Sequence, residues 1–200
     1  MGGVTLREGE LVVERPPNDL DDLAIAFSTV LSRLDVEHAF VAGYVAILTG
    51  RARATDDIDV LVEPLSTDEA EELVATLEDE GYWGPAAPLD DLHGNLDVGT
   101  NIWVAPDGQM TPHLEVKFPT DEFDRASLSN AIDAHVGDAT IPVGPLELQI
   151  AYKLRLGAQK DFEDAAHLYA LFEESLRATH LETWSERLGV TDEYERLQSI

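Results

Sequence analysis

The stretch Val41–Val62, "VAGYVAILTGRARATDDIDVLV", decides how the rest of the chain is read. It passes from Gly43 through a short apolar segment to Gly50, then through Arg51, Arg53 and Thr55 to Asp57-Ile58-Asp59. Successive strand residues face opposite sides, so in a strand "DIDVLV" Asp57 and Asp59 project together while Ile58, Val60 and Val62 line the other face. Two ionised carboxylates side by side on an otherwise apolar strand repel each other and lose hydration. A divalent cation is a partner that relieves both penalties. Upstream, "HAFVAG" reads as a buried strand that reaches a turn at Gly43, and "YVAILTG" as a short helix stopped by Gly50. A strand that turns through glycine straight into a helix exposes backbone N–H groups to an anion, and glycine lets a phosphate come close.

The acid pair carries no weight without that context. With 40 acidic residues in 200 positions, about eight acidic pairs at this spacing arise by chance. Basic residues number 13, giving a net charge of -27, yet 44% of the chain is hydrophobic and the acids interleave with helix-period apolar residues. This pattern predicts a folded body with an acidic surface rather than a disordered acidic tail. Lysine is confined to Lys117, Lys153 and Lys160. That composition fits adaptation to high salt, where counterions screen the repulsion between carboxylates, so a halophilic source is expected. The charge opposes indiscriminate nucleic-acid binding, which depends on lysine and arginine neutralising phosphates. The absence of cysteine excludes disulfides, thiolate nucleophiles and cysteine-ligated zinc. No apolar stretch approaches a membrane span and no signal-peptide pattern opens the chain, so a cytoplasmic protein without membrane contact is expected.

Along the chain, residues 1–18 read as an extended arm, and Asn18 or Asp19 caps a helix with Leu20, Leu23, Phe27, Val30, Leu31 and Leu34 on one stripe. Ser66 and Glu69 form a capping box for the helix that Gly81 ends. After a polar passage, "NIWVAPDGQMTPHLEVKF" reads as a hairpin about a Pro-Asp-Gly turn, and "ATIPV" as a further strand. From Pro145 onward the period is helical. The sum is an α+β fold: a small mixed sheet with helices packed on it, forming a core over residues 1–140, and a helical extension over residues 141–200 packed on the core.

These residues resemble a known signature. The run is similar to that of the DNA polymerase beta-like nucleotidyltransferase superfamily, in which a strand, a glycine turn and a helix precede a strand bearing Asp-x-Asp. More narrowly it resembles the minimal nucleotidyltransferases related to abortive-infection toxins, with Gly50, Arg53, Thr55, Asp57, Ile58 and Asp59 in register. "KLRLGAQKDFEDAAHL" is similar to that family's C-terminal pattern through Lys153, Lys160, Asp161 and Asp164. The resemblance covers roughly residues 37–170. Two positions depart from it: the first glycine of the turn is Ala42, and the third acid, usually aspartate, is matched by Glu115 in "HLEVKF". An alanine keeps the turn if its φ is negative, while its Cβ narrows the room for a phosphate.

The resemblance implies a metal-dependent enzyme that transfers NMP from an NTP to an acceptor hydroxyl on RNA, a protein or a small molecule. It implies Asp57, Asp59 and Glu115 as catalytic and metal-binding carboxylates for Mg2+, or Mn2+ in its place, with Glu115 as general base or the ligand nearest the attacking oxygen. Gly43, Tyr44, Arg53, Thr55, Lys153 and Lys160 are the implied nucleotide-binding residues. A toxin–antitoxin partner protein is a further implication of the family. Two other readings stand beside this one: a catalytically degenerate scaffold of the same fold that binds a nucleotide or a protein, and a helical interaction module whose acid pairs are surface only. Of the six histidines, only His113 shares a strand face with a candidate carboxylate, Glu115.

Overall fold

The computed structural model describes residues 3–199. Residues 1, 2 and 200, at the outer ends of the two expected segments, lie outside it. The described residues build a mixed sheet of nine strands in the order β1-β2-β8-β9-β3-β4-β7-β6-β5. The central strands are β3 (His38–Val41), β4 (Asp57–Val62) and β7 (His113–Lys117). β3 runs antiparallel to β4, and β4 runs parallel to β7. β6 (Ile102–Pro106) returns antiparallel along β7, as the Pro-Asp-Gly turn predicts.

Local chemistry accounts for the helices. Asn18 caps α1 (Asp19–Arg33), and its side chain accepts from the N–H groups of Leu20 and Asp21. The Ser66–Glu69 box opens α3 (Thr67–Asp79). α2 is the six-residue Gly43–Leu48, entirely buried. Ile58, Val60 and Val62 are fully buried on one side of β4, where the alternation of the strand placed them. They join Leu114, Val116, Ile102 and Val104 of the neighbouring strands in the core.

The strand expected at "ATIPV" forms, while several other features depart from the reading of the sequence. The arm is a hairpin, β1 (Val4–Arg7) with β2 (Glu10–Val13), and β2 pairs in parallel with β8 (Ile132–Val136). "ATIPV" is β9 (Ala139–Val143), paired with both β8 and β3. The sheet therefore runs through residue 140, and the helical extension starts at Leu146 with α6 (Leu146–Leu156). The polar passage holds a short strand β5 (Tyr82–Trp83), a 3-10 turn and α4 (Leu92–Asp97), while α5 (Glu122–Ser129) links β7 to β8. The extension continues as α7 (Gln159–Phe172), α8 (Ala178–Leu188) and α9 (Thr191–Gln198). α6 packs on α7 and α8, and α7 also touches α2. No helix among the described residues is long and apolar enough to cross a membrane.

Candidate functional site

The end of β3 and the starts of β4 and β7 meet at one place on the sheet. Register pairs Val41 with Asp59, Asp59 with Glu115, and Asp57 with His113. Asp57, Asp59 and Glu115 thus share one face on two adjacent strands. Thr55 donates its hydroxyl to Asp57 Oδ1 at 2.5 Å. Burial, then the charges of Asp57 and Glu115, push the Asp59 carboxyl up to about 6, although Lys117 and Lys153 pull it the other way. Glu115 accepts from Asn101 at Oε2 (3.2 Å), and its Oε1 stands 3.7 Å from His113 Nε2.

The turn that faces these acids is strained. Ala42 has φ +58° and ψ −125°, the first central position of a type II′ turn, where glycine is the favoured residue. The negative φ expected for an alanine is not adopted, because the chain must reverse here to start α2. Gln149 of α6 helps hold the turn: its Oε1 accepts from the Ala42 N–H at 2.8 Å. Gly144 makes room for that amide, since a Cβ there would stand 2.4 Å from Gln149 Nε2.

Beside the acids lies a cluster of cations. Asp164 of α7 is fully buried and accepts from Arg51 Nε (2.5 Å), Arg53 Nη1 (2.6 Å) and Lys153 Nζ (2.9 Å). Lys153 also donates to Asp161 at 2.9 Å. Arg51 also pairs with Glu163 at 2.8 Å, so the three cations are matched by three carboxylates, Asp161, Glu163 and Asp164. Lys160 is exposed and does not pair with Asp164, its i+4 neighbour, among the described residues. Lys117 bonds Asp124 at 3.0 Å.

These groups enclose a cleft of about 410 Å3. Ala42, Gly43, Asp57 and Asp59 line it, together with the cations Arg53, Lys117, Lys153 and Lys160, the acids Asp124 and Asp161, and the apolar or aromatic Phe123, Tyr152 and Leu156. The cleft therefore joins a carboxylate pair, cationic side chains and apolar side chains, the surroundings that an ion, a polyphosphate and a base or other flat group each require.

Of the residues singled out from the sequence, Gly43, Arg53, Asp57, Asp59, Lys153 and Lys160 line the cleft. Glu115 adjoins it through its pairing with Asp59. Tyr44 does not face it. The ring is fully buried, its hydroxyl donates to Asp21 at 3.0 Å, and burial with the Asp21 charge raises its pKa. It ties α2 to α1, and only its main chain is near the turn. Thr55 reaches the site through Asp57 rather than through the cleft. Gln149, Asp124, Phe123 and Tyr152 had no local signal in the sequence, because each comes from a helix brought over the sheet by tertiary packing. Lys117 had one: it shares a strand face with Glu115.

Among the described residues no three His, Asp or Glu groups converge into a ready cage for a metal ion. Mg2+ is commonly held by one or two carboxylates with substrate phosphates and water completing its shell. Asp57 and Asp59, with Asp59 already pushed up by burial and then by like charge, are a donor set that fits an ion of this kind.

Neither a family model nor a curated protein matches the sequence. Solved structures do resemble it. An antigenic nucleotidyltransferase-like protein from Paracoccidioides brasiliensis superposes with a TM-score of 0.56 at 15% identity, covering 88% of this chain and 91% of that one. The antibiotic-resistance factor ANT(2'')-Ia superposes with a TM-score of 0.55 at 15% identity, covering 91% of this chain and 97% of its own. At that identity the likeness establishes a nucleotidyltransferase-like fold.

Proposed function

We propose, from that fold and the cleft it carries, that this protein is a metal-dependent nucleotidyltransferase moving NMP from an NTP to an acceptor hydroxyl. One observation carries the reading: Asp57 and Asp59, the latter in register with Glu115, share a cleft with the strand-to-helix turn and with Arg53, Lys153 and Lys160. Asp57 and Asp59 would hold Mg2+ or Mn2+, with Glu115 toward the acceptor. When bound, the ion supplies Lewis-acid polarisation of the phosphoryl oxygens and offsets their charge.

The chain's own groups divide the remaining work. Arg53, Lys153 and Lys160 bind the triphosphate by charge, and the Gly43 N–H side of the turn lies beside them. Asp164 fixes Arg53 and Lys153, so their positions are set before the nucleotide enters. Glu115 takes the proton of the attacking hydroxyl at Oε2, the oxygen that Asn101 holds in place. The side chains of Phe123, Tyr152 and Leu156 exclude water beside the reacting groups. The test is transfer of label from α-labelled NTPs with Mg2+ or Mn2+ in molar KCl. Label that reaches an acceptor with the native protein and is lost in Asp57→Ala supports the reading, and absence of nucleotide binding in those conditions ends it.

A second reading is favoured by the alanine in the turn. A scaffold that binds nucleotide or a partner protein, including a toxin–antitoxin partner, without transfer would keep the cleft while tolerating a Cβ at Ala42. Metal and nucleotide binding with no turnover on any acceptor would select it. The halophilic source inferred from composition belongs with either reading.

A further inference from the structure

Gln149 is 4% exposed and lines the cleft, yet only one end of its amide is engaged. Its Oε1 accepts from the Ala42 N–H at 2.8 Å. A backbone N–H only donates, so the amide is fixed with its oxygen toward the turn and its Nε2 facing elsewhere. Gly144 leaves the space that Nε2 occupies. Among the described residues Nε2 has no hydrogen-bond acceptor. Two buried polar atoms of the described residues are sealed from solvent without a partner, His113 Nε2 and Ser185 Oγ, and Gln149 Nε2 is not one of them. An unbonded atom that is not sealed keeps an opening, and the opening that Gln149 lines is the cleft.

The same bond withdraws a donor from the turn. With its hydrogen committed to Gln149, the Ala42 N–H has nothing left to offer an anion. The amide presents N–H groups in its place, and no carboxylate competes for them. The cations of the cleft differ in this respect: Arg53 and Lys153 are tied to Asp164, and Lys117 to Asp124. Lys153 stands one turn further along the same face of α6, about 6 Å away at the Cβ atoms, and it too lines the cleft. A largely buried donor beside an ammonium group favours an oxygen that carries negative charge, and a phosphate oxygen meets both demands. We infer that Gln149 is a phosphate-binding residue, whose Nε2 donates to a phosphate oxygen of the bound nucleotide while its Oε1 holds the turn. This inference rests on the nucleotide occupying the cleft, as proposed above, but not on transfer.

The test compares two variants of the full chain in molar KCl with Mg2+. Gln149→Glu keeps an acceptor for the Ala42 N–H and removes the donor, whereas Gln149→Met removes both. Calorimetric titrants are the common ribonucleoside triphosphates, tripolyphosphate and the matching nucleosides. Both variants should bind NTP and tripolyphosphate about tenfold more weakly or worse, while nucleoside affinity stays within about twofold. A residue that only holds the turn gives another pattern, native affinity in Gln149→Glu with the loss confined to Gln149→Met, and that pattern overturns the assignment. A measurement on the native chain guards against a variant that does not fold. The side-chain N–H signals of Gln149 in 15N NMR should move when tripolyphosphate is added and hold still with nucleoside. Signals that ignore tripolyphosphate, or a native chain that binds neither it nor NTP, also overturn it. Label transfer is scored separately. Transfer by Gln149→Glu at the native KM refutes this inference alone, and phosphate binding through Gln149 without transfer refutes only the enzymatic reading.

Discussion

Arg53 lies against Gly43 so closely that a methyl group on the glycine would stand 2.9 Å from Arg53 Nη2. The guanidinium cannot easily retreat, because its Nη1 is held by buried Asp164 at 2.6 Å. Gly43→Ala should therefore push Arg53 out of place or distort the turn, destabilising the protein by about 1–3 kcal/mol. Nucleotide affinity, measured by calorimetry, should fall with it.

Asp164 balances Arg51, Arg53 and Lys153 together. Removing one partner of a buried ion pair leaves uncompensated charge and costs about 3–5 kcal/mol. Asp164→Asn should lie near the lower end of that range, since the amide oxygen still accepts one hydrogen bond. Urea unfolding in constant KCl measures it.

The raised Asp59 carboxyl links stability to pH. The folded group binds its proton more tightly than the unfolded one, from about 6 against 3.8, so between these values the native state holds more protons. Its contribution is complete below pH 3.8 and is lost as pH rises through about 6. Other carboxylates respond in the opposite sense, so the quantity to follow is the difference between native protein and Asp59→Asn. In metal-free buffer the variant should gain about 2–3 kcal/mol relative to the native chain between pH 4 and pH 7. A difference flat in pH would contradict the burial of Asp59 among like charges.

Ala42 sits at φ +58° in a conformation that L residues reach at a cost of about 1–3 kcal/mol. Ala42→Gly relieves that strain but gives the unfolded chain more freedom, so a net gain of about 1 kcal/mol is expected. Ala42→Val should lose stability. If the Cβ also obstructs phosphate, the glycine variant should bind NTP more tightly, and calorimetry reads both effects on the same samples.

Salt is the remaining test. With a net charge of -27, the melting temperature should climb from dilute buffer to molar KCl as carboxylate repulsion is screened. A constant melting temperature would remove the halophilic reading.

Much of the site was legible because its acids lie on strands, where a period of two fixes which residues share a face. Asp57, Asp59 and Glu115 needed only that rule and the pairing of β4 with β7. Tyr44 was misread because a helix of six residues has no exposed side in this fold. The cap at Asn18 and the box at Ser66 were readable from neighbouring residues, whereas the β1–β2 hairpin and β8 were not: the hairpin joins the sheet only through the pairing of β2 with β8, across more than a hundred residues. Gln149 reached the turn through α6 packing over the sheet, a contact that no local pattern encodes. Asp161 and Asp164 were matched to a sequence pattern, but the cations they face arrive from α6 and from the segment between α2 and β4.

The bond from Gln149 to Ala42 spans 107 positions, and Asp164 reaches back more than a hundred to Arg51 and Arg53. The cleft is thus a seam between early and late parts of the chain. During synthesis, every nascent chain that stops short of residue 164 has the acid pair but lacks the carboxylate that gathers the cations beside it. Competence to bind a polyanion then comes only with about the last fifth of translation, and a fragment ending at the sheet would be an acidic body without a cleft.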